Sequence, residues 1–209
     1  MKLLLVGASG LVGSHVLQRA LVDERVSEVV APSRCVLISH PKLTVPLIDF
    51  DNLPTDAPWW QVDAVICTLG TTMKRAGSQA AFRRVDHAYP LAVAKRVRQQ
   101  GAPTYVLNSA VGADVESRFF YNRVKGELER DLAACGFDSL TLVRPGLISG
   151  LRQEFRAGER AAECVLKLLG PLLPRRMRVN PADNIARALL EAAIEARAGV
   201  NTVDSAALV

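Results

Sequence analysis

The stretch KLLLVGASGLVG, residues 2–13, decides the fold expected for the rest of the chain. Its first residues are apolar enough for a short buried strand, and a helical pattern follows from about Leu11 to Val22. Glycines alone also serve ordinary tight turns. At a strand–helix junction, however, they let the backbone approach a pyrophosphate, which the N–H groups of the helix N-terminus bind. The predicted dinucleotide-binding turn consists of Gly7, Ala8, Ser9, Gly10, Leu11, Val12 and Gly13.

Apolar strand-like runs alternate with helical periodicity along almost the whole chain. Strands are expected at residues 2–6, 28–32, 43–49, 63–70, 104–110, 139–146 and 200–204. Helices are expected at about 11–22, 79–100, 119–134, 157–169 and 182–197, with Pro90 kinking or restarting the second. Such alternation predicts a parallel sheet covered on both faces. The expected fold class is α/β, a single doubly wound parallel sheet (Rossmann fold) with a small C-terminal helical cap.

The domain organisation follows from the same pattern. No linker, repeat or low-complexity segment interrupts it, so residues 1–209 are expected to form one nucleotide-binding domain. Residues from about 147 to 209 are too few for an independent domain. We expect them to form the small cap on the substrate side of the sheet.

Composition excludes several classes of protein. Hydrophobic residues make up 49% of the 209 residues and charged residues 22%, which excludes a disordered chain. No apolar run reaches the roughly 18 residues that a membrane-spanning helix needs. The net charge is +5, but only 5% of residues are aromatic and the basic groups are short, unlike a nucleic-acid interface. We therefore expect neither a membrane nor a nucleic acid as partner.

The cysteines bear on location and on metal binding. Cys35, Cys67, Cys135 and Cys164 are far apart and form neither a CxxC motif nor a Cys/His cluster. This spacing predicts reduced thiols and no metal site. Lys2 and the apolar run after it resemble a short signal peptide, but the regularly spaced glycines argue against one. The expected location is cytoplasmic.

The end of the second expected strand indicates which dinucleotide binds. An acidic residue about 20 positions beyond the glycines would hold the 2′-hydroxyl of NAD. The chain has Ser33 and Arg34 at this point instead. Both suit a 2′-phosphate through charge-assisted hydrogen bonds. The prediction is therefore NADP (NADPH), with NAD less favoured; the alternative is that Arg34 is simply a solvated loop residue.

Tyr121 and Lys125 are candidates for chemistry on the helix after the 104–110 strand. Being four positions apart, they share one helix face. A nearby ammonium favours the phenolate, which makes Tyr121 a candidate proton donor. Ser109 lies at the carboxyl end of the preceding strand. The candidate catalytic residues are therefore Ser109, Tyr121 and Lys125.

The chain resembles the short-chain dehydrogenase/reductase superfamily over essentially its whole length, through the motifs GASGLVG, ICTLGTT, YNRVK and LVRPG together with Ser109. The stretches FRRVDHAY, YNRVKGELE and VRPGLISGLRQEFRAGE are most similar to an atypical branch, the oxidoreductases similar to the Tat-interacting protein. The resemblance implies that Ser109 orients a substrate carbonyl, Tyr121 transfers the proton and Lys125 holds the nicotinamide ribose. It also implies three cofactor-binding segments: Asp49 and Phe50 at the adenine, Thr68, Leu69, Gly70 and Thr71 along the cleft, and Pro145, Gly146, Leu147 and Ile148 behind the nicotinamide.

The chain departs from the superfamily pattern in two respects. Asp86 stands where members often have an asparagine that completes a proton relay. The small C-terminal segment also leaves out most of the lobe that extended members use for nucleotide sugars. The intact Ser109, Tyr121 and Lys125 favour an NADP-dependent oxidoreductase of the carbonyl reductase or dehydrogenase type. Asp86 and the small cap favour the alternative, a non-catalytic NADP(H)-binding module for regulation or protein interaction.

The expected partner differs between these two functions. An enzyme would take a small-molecule carbonyl substrate, and a module would contact a regulated protein; either would be a monomer or homodimer. Arg152 and Arg156 follow the 139–146 strand and are candidates for recognising an anionic substrate. The alternative is an exposed polar loop in which these arginines form salt bridges with Glu154 or Glu159.

Overall fold

The computed structural model describes residues 1–149 and 178–209. Its main strands are β1 (Lys2–Val6), β2 (Glu28–Val30), β3 (Leu43–Thr44), β4 (Ala64–Cys67), β5 (Thr104–Asn108), β6 (Ser139–Arg144) and β9 (Gly199–Asp204). These seven strands form one parallel sheet in the order β3-β2-β1-β4-β5-β6-β9. Two short strands, β7 (Ile148–Ser149) and β8 (Asn180–Pro181), pair separately. The architecture confirms the predicted doubly wound α/β fold.

Helices cover both faces of the sheet. Within the described ranges they are α1 (Leu11–Val22), α2 (Met73–Ala76), α3 (Gln79–Arg83), α4 (Tyr89–Gln99), α5 (Phe120–Ala133) and α6 (Ala182–Glu195). Helices α1 and α6 pack over one buried apolar cluster, and α4 and α5 pack over a second cluster on the opposite face. Arg19 of α1 and Asp183 of α6 join their helices by an ion pair. In the described part of the chain, no helix combines the length and apolar character needed to cross a membrane.

The strand order determines where a ligand can bind. From β1 the sheet extends to β2 and β3 on one side, and to β4, β5, β6 and β9 on the other. In open α/β sheets, ligands bind at the carboxyl ends of the strands where the order reverses. This crevice lies between β1 and β4, where the glycine turn and residues 68–71 begin. The fold therefore brings two of the predicted cofactor-binding segments to the same place.

The segment expected as a helix at residues 79–100 is helical almost throughout, with an irregular turn just before Pro90, where a kink or restart was expected. The backbone at both ends of this turn is right-handed helical, so the helix continues through it into α4. Between α3 and α4, residues Arg84–Ala88 form a π-helical turn. Such turns frequently occur at functional sites. This turn leaves the side chain of Asp86 buried against Thr71, in the segment after β4, and against Lys125 of α5.

The C-terminal segment contributes to the main layers of the fold. Helix α6 packs against α1 and the central strands, and β9 extends the sheet beside β6. The helix expected at 157–169 and the candidate substrate residues Arg152 and Arg156 lie outside the described residues. The cap expected over about residues 147–209 therefore stays a prediction for residues 150–177.

The close approach of α1 to the glycine turn gives a prediction for Gly13. A Cβ at Gly13 would lie 2.1 Å from the carbonyl oxygen of Gly7, and Gly7 itself has a φ of +92°. A Cβ at Gly10 would lie 3.2 Å from the same oxygen. We expect Gly13→Ala to cost about 1–3 kcal/mol of unfolding free energy, the usual range for overpacking, and Gly10→Ala to cost much less. Urea unfolding of both variants measures this difference, and equal costs would contradict it.

Candidate functional site

The glycine turn has the features of an anion-binding helix N-terminus. Gly10 is the N-cap of α1, and no side-chain cap or acidic first-turn residue occupies the start of the helix. Ser9 and Gly10 are exposed, while Ala8 and Val12 are buried and attach the turn to the sheet. The start of α1 is thus accessible and carries little side-chain bulk. These residues fit the pyrophosphate of a dinucleotide.

Ser33 and Arg34, both expected to bind a 2′-phosphate, differ in whether their side chains are free to contact a ligand. Ser33 is buried, and its hydroxyl accepts the backbone N–H of Cys35 at 3.2 Å. Arg34 is exposed and forms no hydrogen bond or ion pair with residues in the described ranges. Its guanidinium is therefore available to an anion, whereas the Ser33 hydroxyl shapes the loop.

Asp49 and Phe50, expected beside an adenine, lie at a turn after β3. The backbone N–H of Asp51 and the side-chain amide of Asn52 lower the pKa of the Asp49 carboxyl. Phe50 is buried and stacks on Tyr89, with ring centroids 5.4 Å apart. The Phe50 side chain is thus part of the core, and contact of either residue with an adenine stays a prediction.

Residues 68–71 connect β4 to the glycine turn and to the π-helical turn. The hydroxyl of Thr68 donates towards the carbonyl oxygens of Val6 and Gly7, at 3.1 and 3.2 Å. The backbone N–H of Thr71 donates to a carboxylate oxygen of Asp86 at 2.8 Å. These bonds fix the backbone of the segment along the predicted cleft.

Lys125 and Asp86 form a buried ion pair at the centre of the site. The Nζ of Lys125 lies 2.8 Å from Oδ1 of Asp86, and their side chains are only 4% and 1% exposed. Burial acts to lower the pKa of Lys125, but attraction to Asp86 and Tyr121 raises it above its ordinary value of 10.5. The ammonium is therefore charged at neutral pH and fixed in position.

Tyr121 lies one helical turn before Lys125 on α5, as predicted. Its side chain is 40% exposed, and its ring meets Phe82 edge-on with centroids 5.8 Å apart. The loop before α5 is held by the N–H of Asp114, which donates to the carbonyl of Asn122. The structure thus brings together an accessible phenol and a buried ammonium.

Ser109 lies at the carboxyl end of β5, but its hydroxyl has a different partner. It donates to Oε1 of the buried Glu129 at 2.5 Å. The Nε of Arg144 donates to the same oxygen at 3.0 Å. Sequence reasoning missed Glu129, although its position four residues after Lys125 places it on the face that carries Tyr121. Ser109 is engaged in this neighbouring network, and its catalytic role stays a prediction.

Asn180, also missed from the sequence, holds the loop after β6. Its Oδ1 accepts the N–H of Gly146 at 2.7 Å, and its side chain is fully buried. Beside Gly146, Pro145 is buried, Leu147 is 55% exposed, and Ile148 begins β7. Since 34 positions separate Gly146 from Asn180, no local pattern could have connected them.

Comparison with solved structures defines the class of fold. MoeE5, solved in complex with UDP-glucose and NAD, matches with a TM-score of 0.72 and 16% identity, covering 97% of this chain and 75% of that chain. UDP-glucose 4-epimerase of Thermotoga maritima, solved with UDP-glucose, matches with a TM-score of 0.68 and 14% identity, covering 99% and 77%. The chain therefore has the Rossmann-like fold of these enzymes, and at such identities the likeness extends to the fold alone.

Relatives at higher identity define the family. Protein fmp52 of Aspergillus fumigatus is 34% identical over 211 residues, covering 93% of this chain and 88% of that protein. FMP52 of Eremothecium gossypii is 34% identical over 177 residues, covering 84% and 78%. Protein HTATIP2 of Rattus norvegicus is 36% identical over 160 residues, covering 74% and 66%. No family model matches the chain. The chain belongs to the family of the fmp52 and HTATIP2 proteins, an atypical branch of the short-chain dehydrogenase/reductase superfamily.

The names of the fungal relatives contradict the expected cytoplasmic location. The fmp52 proteins are named mitochondrial. The expectation rested on free cysteines, which separate reducing from oxidising compartments. They do not distinguish one reducing compartment from another, which is why this inference failed.

The buried ion pair predicts non-additive losses of stability. In Asp86→Asn, a carboxamide has one oxygen to offer the two donors, Lys125 and Thr71, and its NH2 must face one of them. Removing one partner of a buried pair costs about 3–5 kcal/mol, so both Asp86→Asn and Lys125→Met should be strongly destabilised. The double variant should lose about 1–3 kcal/mol less than the sum of the two.

Urea unfolding of the four proteins at pH 7 measures this coupling. Because the folded-state pKa of Lys125 lies above 10.5, the ammonium's contribution is fully present below that pH and is lost as the pH rises through the folded-state value. Strictly additive losses at pH 7 would mean that the two side chains do not stabilise each other.

Proposed function

We propose that this protein is an NADP-dependent oxidoreductase of the carbonyl reductase or dehydrogenase type. The observation that carries the proposal is the accessible Tyr121 one helical turn from the buried, charged Lys125. A phenol beside a fixed ammonium is an effective proton donor, because the ammonium stabilises the phenolate that remains. Both residues lie on the helix after β5, at the edge of the sheet where ligands bind in this class of fold.

Three parts of the chain would hold the dinucleotide. The open N-terminus of α1 would bind the pyrophosphate, and the exposed Arg34 would bind the 2′-phosphate. Lys125 has three N–H donors, so it could bind a ribose hydroxyl while still paired with Asp86. The bound dinucleotide would supply the hydride. Solved neighbours that contain NAD support the proposal that this fold carries a nicotinamide dinucleotide here too.

Tyr121 would supply the proton in the reduction of a carbonyl to an alcohol. As the hydride reaches the carbonyl carbon, the phenol of Tyr121 would donate its proton to the substrate oxygen. Lys125 would stabilise the resulting phenolate, and solvent would return the proton because the Tyr121 side chain is accessible. Ser109 would orient the carbonyl only after its hydroxyl turns away from Glu129.

A second candidate function is a non-catalytic NADP(H)-binding module that regulates or contacts another protein. The hydrogen bond from Ser109 to Glu129 favours it, because a hydroxyl held in a buried network does not orient a substrate. The same residues would then bind the dinucleotide without turnover.

Tyr121→Phe separates the two functions. The substitution removes one oxygen and keeps the ring against Phe82, so NADPH affinity should change little. Oxidation of NADPH with an accepted carbonyl should fall by about 100-fold or more, the scale of general-acid catalysis. Absorbance at the NADPH band, recorded with a panel of aldehydes and ketones, measures the rate, and calorimetry measures the affinity.

Tyr89→Phe is the matched control, since it removes the same oxygen from a tyrosine of α4 and should leave the rate unchanged. Turnover unaffected by Tyr121→Phe would exclude Tyr121 as proton donor. A wild-type protein that binds NADPH but oxidises it with no carbonyl in the panel would favour the module.

Substitution of Arg34 tests whether the protein prefers NADPH to NADH. The Arg34 guanidinium should make NADPH bind at least about tenfold more tightly than NADH, about 1.4 kcal/mol. Arg34→Gln should abolish this preference and spare NADH. Arg197→Gln makes the same charge change just before β9, at the opposite edge of the sheet, and should preserve the preference. Calorimetric titration of each variant with both cofactors measures the ratio, and equal wild-type affinities would refute the NADP assignment.

A further inference from the structure

A buried oxygen at the end of β5 has no hydrogen-bond partner. Asn108 is the last residue of β5, and its side-chain Oδ1 is buried without a partner in the described part of the chain. An unpaired buried acceptor is costly, and native proteins rarely keep one without a reason. The oxygen of Asn108 is therefore a candidate ligand contact.

Two other buried side-chain atoms in the described ranges lack a hydrogen bond, and both differ from Asn108. The Glu127 carboxylate forms an ion pair with Arg83, so its charge is compensated. Ser139 begins β6, at the amino edge of the parallel sheet, away from the crevice. Of the buried side-chain atoms without a hydrogen bond in the described ranges, the Asn108 oxygen is therefore the one whose residue ends a strand at the carboxyl edge of the sheet.

The strand register places Asn108 beside the start of the cleft segment, one strand away from β1 and the glycine turn. The preceding residue, Leu107, pairs with Cys67, so Asn108 lies one step further along, next to Thr68. On its other side Asn108 pairs with Val143 of β6. Leu107 packs into the cluster under α4 and α5. Because successive strand residues face opposite sides, Asn108 faces the α1 side, from which the glycine turn approaches.

We propose that the side-chain carbonyl of Asn108 accepts a hydrogen bond from the nicotinamide half of the bound dinucleotide. The donor would be a neutral N–H or O–H group, either the carboxamide of the ring or a ribose hydroxyl. This inference rests on the proposed function, since it requires the dinucleotide to lie across the carboxyl edge. A neutral acceptor suits such a donor, because neither partner then needs a buried counter-charge.

Asn108→Leu tests the proposal with a side chain of similar size and no acceptor. The free protein should be at least as stable as wild type in urea unfolding, because an unpaired polar group is replaced by an apolar one. Its affinity for NADPH should fall about tenfold. Ser139→Ala is the control: it removes another buried oxygen without a hydrogen bond, at the amino edge, and should leave NADPH affinity unchanged. Asn108→Ala serves as a second variant if the leucine does not fit.

Fragments of the dinucleotide identify the donor by calorimetry. Wild type and Asn108→Leu should bind 2′,5′-ADP equally, since it lacks the nicotinamide half. A loss that first appears with ADP-ribose 2′-phosphate assigns the donor to the ribose, and a loss confined to NADPH assigns it to the carboxamide. Either result supports the proposal.

The proposal is overturned if both Asn108 variants bind all three ligands as wild type does. It is also overturned, and the proposed function is kept, if wild type binds 2′,5′-ADP but gains no affinity from the nicotinamide half. A wild type that binds none of the three overturns both proposals.

Discussion

The ammonium of Lys125 cannot be buried without a counter-charge, and this constraint organises the site. Its partner, Asp86, lies in the π-helical turn that precedes Pro90. The same carboxylate also accepts a hydrogen bond from the backbone N–H of Thr71. One buried carboxylate thus joins α5, the π-helical turn and the segment after β4. Breaking a buried pair exposes the full desolvation cost of the remaining charge, so these three elements are fixed relative to one another. The position of Tyr121, one turn further along α5, follows from this arrangement.

Helix α5 uses a spacing of four residues to place three polar groups in different surroundings. Tyr121 is accessible, Lys125 is paired with Asp86, and Glu129 is paired with Ser109 and Arg144. Buried pairs of this kind add little net stability compared with apolar packing. These pairs instead fix the position of the helix, because a hydrogen bond or ion pair forms only in a few relative orientations of its two groups. The inward side of α5 is therefore held against the sheet by polar contacts as well as by apolar packing.

Local patterns in the sequence predicted the fold and the spacing of the residues at the centre of the candidate site. The glycine turn, the irregular helical turn before Pro90 and the Tyr121–Lys125 spacing are each contained within one element or one turn, where sequence distance reports spatial distance. The partners of Ser109 and Gly146 lie 20 and 34 residues away, and their contacts depend on how strands and helices assemble. No sequence pattern indicates that the side-chain oxygen of Asn108 lacks a partner. Whether a buried oxygen is hydrogen-bonded depends on all the groups that the fold packs around it. Location failed for a different reason, since thiol spacing carries no information that separates reducing compartments.

Two polar side chains along the carboxyl edge of the sheet lack a partner in the described residues. Arg34 follows β2 and lacks an anionic partner in the described residues, while Asn108 ends β5 and lacks a donor. In the strand order β2-β1-β4-β5, three inter-strand spacings separate them, roughly 14 Å at about 4.8 Å each. The open N-terminus of α1 lies between the two ends. A ligand that satisfied both would be extended across the sheet, anionic at its centre and at the Arg34 end, and neutral and donor-bearing at the Asn108 end. NADP(H), the ligand that we propose, has these chemical properties, and the order of the strands sets the distance over which it would have to extend.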